Sequence, residues 1–411
     1  MLEIDVLNPL WSDVFLGHNS FTCACVKLMG MSTMLPALPN TFGRLSDVFV
    51  SSLGAVTKSD NRLSFRSARR VFAVLVDGLG AQNLKGAGGH APFLNQALAI
   101  SKPITCGFPS TTATSITSFG TGLSAGVHGL VGYKVYDRKN SRPANLLTGW
   151  GDEQDALEWQ PQQTVATKAL AHGVGAYVIG PKAYASTGFT TATMRGADYL
   201  PGKTISDRID VAIDLLRKRS DDFLVYLYVP ELDQLAHTFG SDSDEWLRAL
   251  EEVDSQVRRL AGSLSRTDAL LVTADHGIVD VQPQNHVYLD ELPVDWNRVL
   301  DVSGDPRVNY IYLSDSNEAQ DFATALQGKL PDGVLALTKT QVINLDWFRG
   351  ANPTAIERMP DVFALATKQV AMYHRSFAPA KSLEMIGQHG ALSSRELSIP
   401  LLGFGAFGAK S

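Results

Sequence analysis

Five segments carry side chains able to hold a metal ion or attack an electrophile, and three of them begin where an apolar run ends. Asp77 follows Val71–Val76 and precedes Gly78-Leu79-Gly80. A carboxylate there, beside glycines that admit a ligand to the backbone, suits a metal ligand, although Asp-Gly after a strand is also an ordinary turn. Asp233 and His237 stand four residues apart just beyond Phe223–Val229. That spacing puts both on one face of a helical turn, where they can share an ion. Glu231 is the rival carboxylate and has no such partner. Asp275 and His276 close the run Ala269–Thr273, and Gly277 frees the backbone so that both can reach one ion. His389, with Gly387 and Gly390 around it, precedes the last apolar run; alone, such a histidine is an ordinary structural or surface residue. His128 has no carboxylate nearby and reads as structural.

The fifth segment is the hydroxyl-rich stretch from Phe108-Pro109-Ser110 to Thr121-Gly122. Ser110 is expected to cap a helix that Gly122 ends. Thr111 or Thr112 then falls in the first turn, where free N–H groups and the helix dipole favour an anion and a developing alkoxide. Three aspartates, three histidines and a hydroxyl fit two divalent ions. Oxygen and imidazole donors without thiolate suit zinc, with manganese as the second choice.

Apolar β-rich runs position these groups: Val71–Val76, Ala176–Ile179, Phe223–Val229, Ala269–Thr273 and Ile399–Phe404. Continuous apolar strands belong inside a sheet covered on both faces. Helical patterns alternate with them. Trp246, Leu250, Val253, Val257 and Leu260 paint one helix face, as do Ile209, Ala212, Ile213 and Leu216 within 206–219. The fold class is therefore α/β, with a mostly parallel central sheet flanked by helices, and ligands belong beyond the carboxyl ends of its strands. The pattern changes between 283 and 384, where Val308–Leu313 and Val334–Leu337 read as strands and Asn317–Lys329 as a helix, with a turn at Pro331-Asp332-Gly333. The expected organisation is a core of 34–282 and 385–411, a small α+β cap insert of 283–384, and a poorly structured leader over 1–33. Arg307, Tyr310 and Arg358 in the insert could contact substrate, with surface salt bridges as their ordinary role.

The 411 residues are 45% hydrophobic and 19% charged, enough to bury a large core. A net charge of −6 without a basic run argues against nucleic acid or an anionic membrane as partner. Cys23, Cys25 and Cys106 are too few for a disulfide framework, so a reducing cytoplasm is the expected location.

In order and spacing, Asp77-Gly78, the stretch ending in Thr121-Gly122, Asp233-x-x-x-His237, Asp275-His276-Gly277 and His389-Gly390 resemble the alkaline phosphatase superfamily, and within it the type I phosphodiesterase/nucleotide pyrophosphatase branch. The likeness covers about 70–280 and 385–405. It implies an alkaline phosphatase-like fold, one metal on Asp233, His237 and His389, and a second on Asp77, Asp275, His276 and the nucleophile. Counting back from Thr121-Gly122 in the family's spacing, the nucleophile falls on Thr112. The implied activity is hydrolysis of phosphodiester or pyrophosphate bonds through a phosphothreonine, on a small phosphorylated substrate such as a nucleotide. The branch often has Thr-Phe-Pro-Asn at the nucleophile. This chain has Phe108-Pro109-Ser110 ahead of its threonines and no evident counterpart of the phosphate-holding asparagine. A phosphomonoesterase, phosphonate hydrolase or phosphomutase would share the same cage. A sulfatase would need cysteine or serine where threonine stands, and a non-catalytic metal-binding protein would be marked by a lost ligand, of which there is none.

Overall fold

Seven consecutive aliphatic or aromatic side chains leave Phe223–Val229 no charged face to turn to water, so it belongs within a sheet buried on both sides. The computed structural model, which describes Leu35, Leu38, Pro39, 41–151 and 154–408, places it there. The leader and the pair Cys23 and Cys25 lie outside the described residues. The main sheet has six strands in the order Leu401–Gly405, Asp268–Thr273, Arg70–Val76, Phe223–Val229, Gly175–Gly180, Asp198–Pro201. All neighbours are parallel except Leu401–Gly405, which runs antiparallel to Asp268–Thr273.

Register brings the strand ends together. Val76 lies beside Val229, and Leu75 beside Thr273, so three neighbouring parallel strands end at nearly one level. The turns beyond them carry Asp77, Asp233 and Asp275 to the same edge.

Flanking helices bury the stripes their sequences paint. Asp244–Gly262 turns Trp246, Leu250, Val253, Val257 and Leu260 inward and is capped by Ser243, whose side chain accepts from the Trp246 N–H. Ile205–Lys218 is closed by a capping box between Thr204 and Asp207. No helix among the described residues is long and apolar enough to cross a membrane.

Two elements differ from expectation. The run Ile399–Phe404 is split, because Pro400 cannot donate to a ladder: Ser398–Ile399 pairs with Ile104–Thr105, and Leu401–Gly405 joins the main sheet. The helix expected over 317–329 is the shorter Ala319–Gln327, entered through a turn of 3₁₀-helix at Ser316–Glu318.

Between 299 and 366 a four-stranded antiparallel sheet forms, ordered Val299–Asp305, Val308–Leu313, Val362–Ala366, Val334–Thr338. Its strands alternate between two cores. Val308, Tyr310, Tyr312, Phe363 and Leu365 face the main core. Ile311, Leu313, Val362 and Ala364 close a second core with Phe322 and Leu326 of Ala319–Gln327. Period-two alternation thus makes one apolar strand serve both cores.

Leu250→Ala removes a fully buried side chain from the longest flanking helix. We expect it to lower unfolding free energy by about 2–5 kcal/mol, read from urea denaturation followed by circular dichroism; a loss below about 1 kcal/mol would show that this stripe is not packed as described.

Candidate metal centre and active site

The seven candidate residues, Asp77, Thr112, Asp233, His237, Asp275, His276 and His389, meet at the carboxyl edge of the main sheet. Asp77 leaves Arg70–Val76 with its N–H donating to Val229 O at 2.9 Å, and the Tyr228 hydroxyl donates to its Oδ2. Gly78 turns with φ at +73° and donates its N–H to Asp275 Oδ1 at 3.1 Å, which ties two of the turns together. Asp233 and His237 stand on Glu231–Phe239, with Oδ2 and Nε2 3.1 Å apart. His237 is steered from its other side, where Nδ1 meets Gly387 O at 2.7 Å. Asn83 brackets the turn after Asp275 by accepting from Ile278 N–H and donating to Ile278 O, both at 3.1 Å. At Gly277 a Cβ would stand 2.0 Å from Arg395 O, so the close approach admits glycine only.

His276 lies at the middle of the cluster. Its Nε2 is 3.4 Å from Asp77 Oδ1, 3.5 Å from Asp275 Oδ2 and 3.2 Å from Thr112 Oγ1. Its ring stacks on that of His389 with centroids 3.7 Å apart. The side chains form two overlapping groups whose ligand atoms lie within 4.8 Å of one another: Asp233, His276 and His389, and Asp77, Asp275 and His276. His237 adjoins the first group through Asp233.

Charge shows what the cluster lacks. Burial, then the neighbouring Asp233, pushes Asp275 up to about 7, and burial with Asp275 pushes Asp77 well above the carboxylate range. Burial lowers His276 to about 4 and His389 to about 3, so both are neutral with lone pairs free. His237 is the exception: burial would lower it, but Asp233 holds it up at about 9. Asp77 Oδ1, Asp233 Oδ1 and Asp275 Oδ2 are buried without a hydrogen-bond partner. Each of three carboxylates keeps one unsatisfied oxygen beside neutral imidazoles, and that donor set fits divalent cations.

Thr112 opens the helix Thr112–Thr121 and lines a cavity of about 690 Å³ together with Asp77, Asp233, His237 and His389. Thr111 precedes it in extended conformation, fully buried and away from the cavity wall. Ser110 does not cap the helix. Its hydroxyl donates to Ala391 O at 2.8 Å and accepts from Gly390 N–H at 3.1 Å, while its carbonyl meets His389 Nδ1 at 3.0 Å. Ser110 therefore fastens the His389 turn: the helix begins one residue later than expected, with Thr111 at the N-cap position, and the Ser110 hydroxyl makes two bonds to that turn instead.

Other candidates lie elsewhere. His128 is buried between the Ser118 hydroxyl at 3.0 Å and the Leu130 N–H at 3.1 Å, and burial lowers it to about 3. Glu231 is taken by Arg208. Among the described residues, Arg307, Tyr310 and Arg358 neither line the cavity nor make surface salt bridges. Tyr310 donates to Val131 O at 2.6 Å; Arg358 donates to Gly129 O and Trp159 O and covers the Trp159 ring at 4.3 Å. Arg307 is 1% exposed and clamps Glu396 at 3.1 and 2.8 Å while donating to the carbonyls of Lys368 and Val370. Glu396 in turn accepts from Ala391 N–H at 2.9 Å, two residues beyond His389. A buried ion pair thus couples 307 and 368–370 to the turn that presents His389.

Sequence reasoning passes over Tyr228, whose signal is a hydroxyl one residue before the end of its strand. It also passes over Tyr184, Asp305 and His374, which line the cavity without any periodic pattern to mark them.

Comparison with known proteins places the chain in the alkaline phosphatase superfamily and narrows the class. The family model for type I phosphodiesterase/nucleotide pyrophosphatase matches residues 71–392, and the chain belongs to that family. Among curated relatives it is 24% identical over 285 residues to an uncharacterised pyrophosphatase/phosphodiesterase of Schizosaccharomyces pombe, covering 66% of this chain and 53% of that one. It is 25% identical over 234 residues to human ectonucleotide pyrophosphatase/phosphodiesterase family member 1, covering 53% of this chain and 24% of the human protein. The chain thus spans about half of the yeast relative's length and about a quarter of the human one's. Among solved structures, murine ectonucleotide pyrophosphatase/phosphodiesterase 5, in an inactive form in complex with AMP, superposes with a TM-score of 0.65 at 19% identity, covering 82% of this chain and 88% of that one.

The Arg307–Glu396 pair yields a test. Burial alone would raise Glu396, but Arg307 wins and holds it below its usual range. A carboxylate depressed in the folded state stabilises above its unfolded pKa and loses that contribution as pH falls through the folded value. Glu396→Gln leaves Arg307 buried and unpaired, so we expect a loss of about 3–5 kcal/mol at pH 7. The gap to wild type should shrink below about pH 4.5. Urea melts at pH 7 and pH 4 check this; equal gaps at both would show that the pair is not ionised.

Proposed function

We propose that this chain is a metal-dependent phosphohydrolase that cleaves phosphodiester or pyrophosphate bonds, with Thr112 as nucleophile. One observation carries the reading. Thr112 stands at a helix start, on the cavity and 3.2 Å from His276, within a cluster whose carboxylates keep unsatisfied oxygens.

Asp233, His237 and His389 would hold one ion, and Asp77, Asp275 and His276 the other. His276 also lies close enough to Asp233 and His389 to serve between the two groups. Divalent ions bound there would supply positive charge for the phosphoryl oxygens and make the threonine hydroxyl easier to ionise. The protein's own part is positional. Thr112 Oγ approaches phosphorus opposite the departing oxygen, the P–O bond to the leaving group breaks, and the phosphoryl group passes to Thr112. Water then releases it. The first turn of Thr112–Thr121 directs its N–H groups and helix dipole to the place where charge develops. Zinc is the first choice of metal from the donor set. A nucleotide is the first substrate class to test, since a protein of the same fold was solved with AMP.

A phosphomutase is the second reading, favoured by 26% identity over 173 residues to phosphopentomutase of Thermotoga maritima, covering 40% of this chain and 41% of that one. Product analysis separates them: a mutase returns a phosphorylated isomer, and a hydrolase frees an alcohol or nucleotide.

With zinc or manganese added, we expect wild type to hydrolyse bis-p-nitrophenyl phosphate, and Thr112→Ala to lose about 10³-fold or more in kcat. Thr111→Ala should retain turnover. Calorimetric titration should find two metal equivalents in wild type and fewer in Asp275→Asn. An active Thr112→Ala would remove Thr112 as nucleophile. A wild type that binds metal yet isomerises a pentose phosphate and spares the diester would replace the first reading with the second.

A further inference from the structure

The cavity before the metal centre has two unlike walls. One is made by the turns that carry Asp77, Thr112 and Asp233; the other comes from 302–309 and 372–388. On the second wall, two polar side chains are buried with hydrogen-bonding capacity unmet. Asp305 ends the strand Val299–Asp305, is 8% exposed, and has no partner for Oδ2. His374 follows Ala371–Tyr373, is 7% exposed, and has no partner for either ring nitrogen. Met372 N–H donates to Pro306 O at 2.7 Å, so the two residues belong to one continuous surface.

Both are held in place. Trp296 and Phe377 each hold the His374 ring at a centroid distance of 4.8 Å, edge to face. The Asn309 side chain donates to Asp305 O at 2.7 Å. Among the described residues no arginine or lysine pairs with Asp305, although other buried carboxylates outside the metal cluster, such as Asp268, Asp361 and Glu396, have such partners. A buried polar group without a partner is costly, and one that lines a ligand cavity is matched when the ligand arrives. A carboxyl group offers acceptors and, when protonated, one donor. Imidazole that burial keeps neutral offers one donor and one acceptor. Hydroxyl groups, which both donate and accept, complement that set.

We propose that Asp305 and His374 form a hydroxyl-recognition subsite that selects phosphate esters carrying a vicinal diol on the alcohol. The subsite rests on the phosphohydrolase reading for its role in turnover, and on the cavity wall alone for binding.

Two ligands that differ only in the hydroxyls provide the test. Zinc-loaded wild type is titrated with glycerol 3-phosphate and with n-propyl phosphate, and assayed on their p-nitrophenyl diesters. We expect the diol ligand to bind about tenfold or more tightly than the propyl ligand, a preference of the size a missing hydrogen-bond partner imposes. Asp305→Asn and His374→Phe should each shrink that ratio to about threefold or less, with melting temperature and metal equivalents showing that each variant is folded and loaded. Equal affinity of wild type for the two ligands, or a ratio that neither substitution moves, overturns the subsite. A binding preference without hydrolysis of either diester removes the activity and leaves the subsite; hydrolysis of both without preference does the reverse.

Discussion

Three carboxylates brought together in a site that water scarcely reaches are the constraint on which the rest of the structure depends. Like charges at this separation in a medium of low effective dielectric repel by several kcal/mol. The protein alone compensates incompletely: Asp233 finds His237, while Asp77 and Asp275 are pushed toward their protonated forms. The backbone enforces the arrangement. Arg70–Val76 pairs in parallel with Phe223–Val229 on one side and Asp268–Thr273 on the other, and the turns beyond a parallel sheet's carboxyl ends must share one edge. Close approach then forbids relief, because the glycine turn at 277 stands against the backbone of Arg395 and Gly78 N–H is bound to Asp275. Hydrophobic burial over a six-stranded sheet thus holds together a polar cluster whose remaining repulsion a bound divalent cation would offset.

The fourth contribution to the cluster, His389, comes from the far end of the chain and depends on different forces. No strand of the main sheet presents it. Ser110 secures its turn from the Thr112 side, and Glu396, paired with Arg307, secures it from the other. The segment that contains Arg307 shares the main core through Val308, Tyr310 and Tyr312. A residue that reads from sequence as belonging to a separate cap therefore braces the candidate metal centre. Its charge is tolerated in the interior because the guanidinium's donors meet a carboxylate and two carbonyls.

How much of the molecule is legible in its sequence depends on which physical rules act locally. Strand runs such as Phe223–Val229, and the helix stripe from Trp246 to Leu260, are set by short-range periodicity, and both stand where periodicity puts them. Asp77, Asp233, His237, Asp275 and His276 are visible because they interrupt or extend apolar runs at strand ends. Ser110 misleads because a serine ahead of a helix is also able to bind a loop nearly 280 residues away, and only the folded chain shows which hydrogen bonds it makes. Arg307, Tyr310 and Arg358 mislead for a related reason. Polar character suggests exposure, yet each has partners supplied by distant segments.

The same distinction explains why the chemical class is legible and the substrate is not. Metal-ligand and nucleophile positions recur at strand ends and a helix start, where the fold itself makes cation and anion sites. Asp305, His374 and Tyr184 carry no such positional signature; what marks Asp305 and His374 is unmet hydrogen-bonding capacity on a cavity wall, which exists only after segments 302–309 and 372–374 have been brought side by side. Reaction type is accordingly written into the sheet, and the proposed selectivity into a surface assembled from 302–309 and 372–388. If that proposal holds, substitutions on this surface would change which alcohol is accepted without touching the residues that would hold the metal.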